Sequence, residues 1–381
     1  MSFRSVIAEI EQNRQNHQEG YFNCIPFMGM ERLEKYLPGV EQDTYYLLTA
    51  NSGVGKSKLA RYLFIHNPYQ YLQAHPDTDI KLTIKYFSLE ESKKKVILSE
   101  ISRYLFTKYN ISISIKQLQS RGRYNTISTD ILEKIKEAEQ YVEGFLEVVD
   151  IIDSIRNPTG IYKYMRDFAL TIGRYYDKDG VELSQQEHDD ITLGRGEAYK
   201  KISFYRKYHP KHYVIVLTDH IGLLETEDGL SQWETIGLFS SKYCLRFRDK
   251  FGFSPVNVQQ QASDKEKLQF THSGKSIEEK LEPSLDGLGD NKTTQRDANV
   301  VLGLFAPDRY GITSHIGYDV GFFKDRYRSM SILKDRDGTA NKRLPLFFNG
   351  ASDFFKELPK SNDVSAMAVV YDYVRNLNSN S

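Results

Sequence analysis

Cysteine is nearly absent. Cys24 and Cys244 are the only two in 381 residues, so no disulfide framework holds the chain, and with nine scattered histidines they form no zinc spacing. The pair His209 and His212 precedes a strand-like run and lacks further ligands. There is one tryptophan, Trp233, expected to pack a helix into the core. No apolar run approaches the roughly 18–20 residues that cross a bilayer, and the opening MSFRSVIAEIEQNRQ has no signal-peptide core. The expectation is a soluble protein in a reducing cytoplasm, with no membrane partner. An excess of one charge is also missing, with 51 Lys+Arg against 51 Asp+Glu. That excludes coating of a polyanion through gross net charge, so any nucleic-acid contact must be local. Aromatic residues, by contrast, are plentiful: 26 Tyr and 21 Phe supply much of the apolar area a large core needs.

Residues 3–17 place Val6, Ile7 and Ile10 on one stripe among polar residues, the pattern of a short amphipathic helix too small to fold alone. Gly20 to Gly39 carries Gly and Pro at both ends of a helical segment and reads as a linker entering a domain. From Tyr45 onward apolar runs alternate with helical ones. TYYLLTA (44–50), KLTIKYFSLE (81–90), FLEVVDII (145–152), HYVIVLTD (212–219), FSPVNVQQQ (253–261), NVVLGLF (299–305) and RSMSILKDRD (328–337) read as strands. Such alternation predicts a parallel sheet covered by helices. Residues 107–144 and 175–210 are polar excursions that read as insertions on this frame. Residues 262–296 are polar, rich in Gly and Lys and nearly strandless, which predicts a long mobile loop of the kind that is functional or disordered.

The strongest chemical signal is Ala50-Asn51-Ser52-Gly53-Val54-Gly55-Lys56-Ser57, set between a predicted strand and a predicted helix. Its glycines permit the tight backbone that points successive N–H groups at a phosphate on the helix N-terminus. Lys56 is then expected to reach the β- and γ-phosphates of ATP, and Ser57 to coordinate Mg2+. Asp219 ends an apolar strand and is expected to complete the metal shell at the C-terminal edge of the sheet. Two adjacent acids, Glu90 and Glu91, follow the second strand. Either could polarise the attacking water, although Glu91 also fits a first-turn acid favoured by the helix dipole.

The order of these segments resembles the ATPase domain of DnaB-type replicative helicases. IPFMGMERLEKYLPG is similar to that family's lead into the phosphate loop, and YFSLEES resembles its strand with the catalytic Glu, which selects Glu90. LTDHIGLL resembles the metal-Asp strand, VNVQQQ the strand ending in a γ-phosphate sensor, here Gln260, and QRDANVVLGLF the acid-containing stretch before the next strand. ILKDRDGTANKRLPLFF is similar to the segment whose Lys and Arg reach a neighbouring subunit's ATP site, which points to Lys334 and Arg336. These lie two residues apart, so on a strand they share a face. Residues 324–343 hold seven Lys/Arg against three Asp/Glu, so a solvated basic edge is the alternative for both.

What the resemblance implies is a RecA-like P-loop NTPase with a twisted, mostly parallel sheet flanked by helices, spanning residues 20–358. Residues 1–19 would be a linker helix docking on a neighbouring subunit and 359–381 a C-terminal tail. The implied activity is ATP hydrolysis with Mg2+ in a hexameric ring that translocates on single-stranded DNA during replication, with primase or a loader as partners. A bacterial cytoplasm, or a host's if the chain is phage-encoded, is implied with it. The alternatives are a RecA-like recombinase or mediator, and a regulatory P-loop protein. Two departures stand out. Gly289 occupies a place where the family has an Arg in its DNA loop, and residues 262–297 contain six Lys/Arg against eight Asp/Glu, leaving Lys292 as the candidate phosphate contact there.

Overall fold

The computed structural model describes residues 3–123, 125–262, 278–289 and 291–379. Nine strands form one sheet: β1 (Tyr46–Ala50), β2 (Lys81–Ser88), β3 (Val149–Ile152), β4 (His212–Asp219), β5 (Ser254–Gln260), β6 (Val300–Phe305), β7 (Tyr327–Asp335), β8 (Lys342–Asn349) and β9 (Phe354–Glu357). Their order is β9-β8-β7-β6-β1-β5-β4-β2-β3. The six from β6 to β3 run parallel, and β7, β8 and β9 extend the sheet antiparallel. All five residues of β1 and all eight of β4 are buried, as central parallel strands covered on both faces require. Alternate residues enter opposite cores: Tyr46, Leu48, Ile215 and Leu217 pack on one face, and Tyr45, Leu47, Val214 and Val216 on the other.

Several local expectations change. Half of FLEVVDII is helical, because Phe145 buries its ring from the helix Glu139–Val148 and only Val149–Ile152 pairs with β2. A continuous apolar run looks the same in either conformation. Gly20 to Gly39 is not a linker: Cys24–Pro26 pairs with Gly39–Glu41, and Phe27, Met30, Leu33 and Leu37 enter the main core. Gly39 packs so closely that a Cβ there would lie 2.1 Å from the Ile25 carbonyl oxygen. Trp233 is 56 % exposed, since its helix Gln232–Leu238 turns Thr235 and Ile236 inward instead. Among the described residues of 262–296, short 3-10 turns replace strands; residues 263–277 and 290 lie outside the described residues.

Residues 3–18 form a helix with no buried residue, exposing Phe3 and Ile10 by 81 % and 58 %. The excursion at 107–144 holds short helices between β2 and β3, and that at 175–210 a helix and a two-stranded hairpin between β3 and β4. The segment read as a tail forms the helix Val364–Ser379, whose Met367, Val374 and Leu377 pack with Phe106 and Phe347. Burial of three such side chains is worth about 1.5–3 kcal/mol each. Deleting residues 360–381 should therefore lower the thermal midpoint measured by circular dichroism, where removal of a freely trailing tail would leave it unchanged.

Candidate nucleotide site

The parallel register brings the C-terminal ends of four strands to one edge: Ala50 pairs with Gln260, and Ser88 with Asp219. From Ala50 the chain turns through Asn51, Ser52, Gly53, Val54 and Gly55 into the helix Lys56–Arg61. Gly53 and Gly55 have φ of +68° and +106°, backbone that favours glycine. Both are also crowded, with a Cβ on Gly53 falling 2.8 Å from Arg309 Nη1 and one on Gly55 3.3 Å from the Phe348 ring. Lys56 is 7 % exposed and has no hydrogen bond or ion pair among the described residues. A buried ammonium without a counter-charge is costly, so this position fits a cradle built for an anion.

Ser57 Oγ donates to Asp219 Oδ1 at 2.9 Å, and the Tyr86 hydroxyl donates to Asp219 Oδ2 at 3.3 Å. Burial pushes the Asp219 carboxyl up to about 6, against the Arg61 charge and the Ser57 hydrogen bond, and Glu90 adds to the rise. A hydroxyl beside a buried carboxylate that lacks a full counter-ion is a hard-oxygen donor pair of the type Mg2+ takes. The loop and Lys56 fit the phosphates, and Ser57 with Asp219 fits the metal.

The two adjacent acids occupy different environments. Glu90 is exposed just beyond β2 and makes no hydrogen bond or ion pair among the described residues. Glu91 is held: its Oε2 accepts from Arg61 Nη1 at 2.8 Å, and its Oε1 pairs with Lys95 Nζ at 2.6 Å. Burial alone would raise the Glu91 carboxyl, but the two cations outweigh it and keep it below the usual carboxylate range.

The three amides separate by strand alternation. Gln259 is tied to Asn291 and Thr294, and Gln261 to Thr49 and Ser284. Gln260 points the other way, half-buried, with no side-chain hydrogen bond among the described residues. Gly289 lies against the chain just beyond Gln260, and its N–H donates to the Gln260 carbonyl at 3.2 Å. A Cβ there would come within 3.3 Å of Ala262. Lys292 is exposed at the start of Thr293–Asp297.

Lys334 and Arg336 are not at this edge. Lys334 pairs with Val301, level with Leu47 of β1, and the Arg336 N–H donates to the Asn299 carbonyl. At ~3.3 Å per residue Lys334 lies roughly 10 Å back along the sheet from the loop. Lys334 Nζ donates to the carbonyls of Gln295 and Ala298 at 2.6 and 2.7 Å, and Arg336 donates to that of Arg296. The two side chains do share a face, and within this chain it is occupied by backbone oxygens.

Residues outside the motifs complete the site. Arg309 donates to the Ser52 carbonyl, the Tyr310 hydroxyl accepts from Asn51 at 2.6 Å, and Arg328 Nε donates to the Val54 carbonyl at 2.7 Å. The only sequence signal for Arg309 and Tyr310 was their place directly after the strand NVVLGLF. Arg61 is 3 % exposed. It binds Asp353 Oδ2 through Nε and Nη2 at 2.8 and 2.6 Å, and Lys58 and Ser99 bind the same carboxylate. These cations overcome burial and hold Asp353 well below the usual carboxylate range.

Removing one partner of such a buried pair leaves the other charge uncompensated, at about 3–5 kcal/mol. Asp353→Asn should destabilise the fold by that order. A carboxylate depressed on folding contributes stability above its unfolded value near ~3.9 and loses it as pH falls further. The gap between wild type and Asp353→Asn in denaturant melts should accordingly be constant from pH 7 to about 5 and narrow below about 4.

Compared as a whole with solved structures, the chain is similar to one of an isolated ATPase domain, with a TM-score of 0.62 at 17 % identity over 93 % of this chain and 99 % of that one. It is also similar to a DnaB-like replicative helicase described with its interactions with primase, with a TM-score of 0.61 at 16 % identity over 93 % and 67 % of the two chains. No protein-family model and no curated protein matches the sequence. At these identities the likeness is one of fold. The chain therefore has the RecA-like α/β fold of DnaB-type ATPase domains.

Proposed function

We propose that this chain is the ATPase motor of a DnaB-type replicative helicase, a hexameric ring that hydrolyses ATP to move along single-stranded DNA. The observation that carries this reading is the division of the sheet. Lys56, Ser57, Glu90, Asp219 and Gln260 gather at one edge, while Lys334 and Arg336 stand too far back to serve the same nucleotide. A site with its own acid and phosphate cradle but no finger of its own is suited to completion by a neighbour.

In the proposed cycle the loop N–H groups and Lys56 orient the triphosphate, and Glu90 takes the proton of the attacking water. Mg2+ held by Ser57 and Asp219 supplies charge neutralisation at the phosphates. Gln260 senses the γ-phosphate and passes its presence to the segment that follows, where Lys292 meets the DNA backbone. Glu91 takes no part in the chemistry, because its carboxylate is consumed by Arg61 and Lys95.

Glu90→Gln should bind ATP yet lose the ~10²–10⁴-fold typical of a general base, whereas Glu91→Gln should keep turnover and lose thermal stability. Arg336→Ala should also bind ATP and hydrolyse it poorly. Mixing Glu90→Gln with Arg336→Ala protein then tests the ring, since some interfaces combine an intact acid with an intact finger and turnover should rise above either variant alone. Mixed rings verified by native mass spectrometry that show no recovery would leave Lys334 and Arg336 as caps on the carbonyls of residues 295–298 and remove the support for a shared site.

The helix Phe3–Gln18 belongs to the same reading, as a linker docking on the adjacent subunit, because Phe3, Val6, Ile7 and Ile10 are all exposed in the single chain. Deleting residues 1–19 should give a folded chain that sediments as smaller species with ATP present, and undiminished oligomers would refute the docking role.

A further inference from the structure

The excursion at 175–210 builds a second cleft at the opposite edge of the sheet from the phosphate loop. It lies between the helix Pro158–Ile172, the hairpin of Gly173–Tyr176 with Phe204–Lys207, and the helix Leu245–Phe251. The hairpin leads into the start of β4, and Leu245–Phe251 into the start of β5. Tyr162, Tyr175 and Tyr205 wall the cleft, Arg166, Arg246 and Lys250 border it, and no carboxylate is among its lining residues.

The chemistry of the lining is specific. Arg246 and Lys250 lie one helical turn apart, so they share a face. Both are exposed, and neither has an ion pair or hydrogen bond among the described residues. Arg246 rests over the Tyr162 ring at 5.6 Å, and that ring is itself stacked on Tyr243 at 4.8 Å. Arg166 is tethered by Asp167 and the Thr192 carbonyl. The hydroxyls of Tyr162 and Tyr175 have no hydrogen-bond partner among the described residues. Burial raises the Tyr175 phenol, which keeps it a donor even with Arg166 and Arg246 near enough to oppose the rise. Tyr199 lines the same cleft with its ring 60 % exposed. Past Lys250 the surface continues to Arg206, which lies over the stacked rings of Tyr176 and Phe204.

We propose that this cleft binds single-stranded nucleic acid, holding a backbone phosphate between Arg246, Lys250 and the Tyr175 hydroxyl while a base stacks on Tyr199. Unpaired cations that track a backbone, beside aromatic faces that accept any base, are what non-specific strand binding uses. A second observation points the same way: the segment after Gln260 has more acids than bases, so a grip on the strand needs cations from elsewhere. The inference rests on the single-stranded DNA reading above and adds a contact distant from the nucleotide edge.

The test uses the full chain with a fluorescein-labelled dT20 strand, titrated by anisotropy at several salt concentrations. Arg246→Glu/Lys250→Glu should weaken binding by tenfold or more and, at ~0.7 per phosphate contact on a single strand, flatten the log–log salt slope by about 1.4. Arg246→Ala/Lys250→Ala should move both in the same direction, and Tyr199→Ala should weaken binding with the slope kept. DNA-free ATP turnover and the circular dichroism melt should stay at wild-type values. Wild-type affinity and slope in both double variants, with the wild type binding dT20, would overturn the cleft and leave the helicase reading standing. A wild type that does not bind dT20 would overturn both. Displacement of dT20 by polyglutamate as readily as by unlabelled strand would overturn the nucleic-acid assignment in favour of an acidic protein segment.

Discussion

A guanidinium sealed inside the protein, Arg61, ties together the elements on which the nucleotide edge depends. It extends from the helix that begins at the phosphate loop, grips Asp353 in the turn between β8 and β9, and reaches Glu91 and the Tyr86 hydroxyl on the way to Asp219. A buried charge of this kind is tolerated only when it is paired and hydrogen-bonded. Satisfying it forces the phosphate-loop helix, the end of β2 and the antiparallel extension of the sheet into one arrangement. Glu91 is consumed by that requirement, and this leaves Glu90 facing solvent beside Asp219.

The antiparallel strands β7, β8 and β9 consequently have a second use. They are an extension of the sheet, and they also bring Arg328 and Phe348 under the loop from the side opposite β2. Arg328 donates to the Val54 carbonyl and lies over the Phe348 ring, which in turn closes on Gly55. The glycines are therefore needed for conformation and for room, and the loop is supported from below as well as by the helix that follows it. The same strand β7 carries Lys334 and Arg336 to the far end of the sheet. Antiparallel direction is the reason: a strand leaving the nucleotide edge next to β6 must finish where β6 begins.

Much of this was legible as pattern. The alternation of apolar runs with amphipathic ones indicated the parallel sheet, and the strand-loop-helix context of residues 44–66 located the phosphate loop. Apolar pattern failed where one composition serves two conformations, as in FLEVVDII, and where short elements contribute isolated side chains to the core, as Phe27, Met30 and Leu33 do. It also failed for Trp233, because a ring's burial depends on which face its helix turns inward. The partnership of Arg61 with Asp353 joins residues 292 positions apart, and no local spacing announces it.

What the sequence by itself determined is therefore the set of short-range features: the strand order along the chain, the positive-φ glycines of the loop, and the acids and amides at strand ends, each dictated by backbone chemistry within a few residues. Only the tertiary structure decided which of two adjacent acids stays free, which of three glutamines points away from its bonded neighbours, and at which end of the sheet the two basic residues stand. Those outcomes depend on register between strands and on charges distant in sequence. A side chain's identity fixes what it can bind, and its partners across the fold fix what it has left to offer.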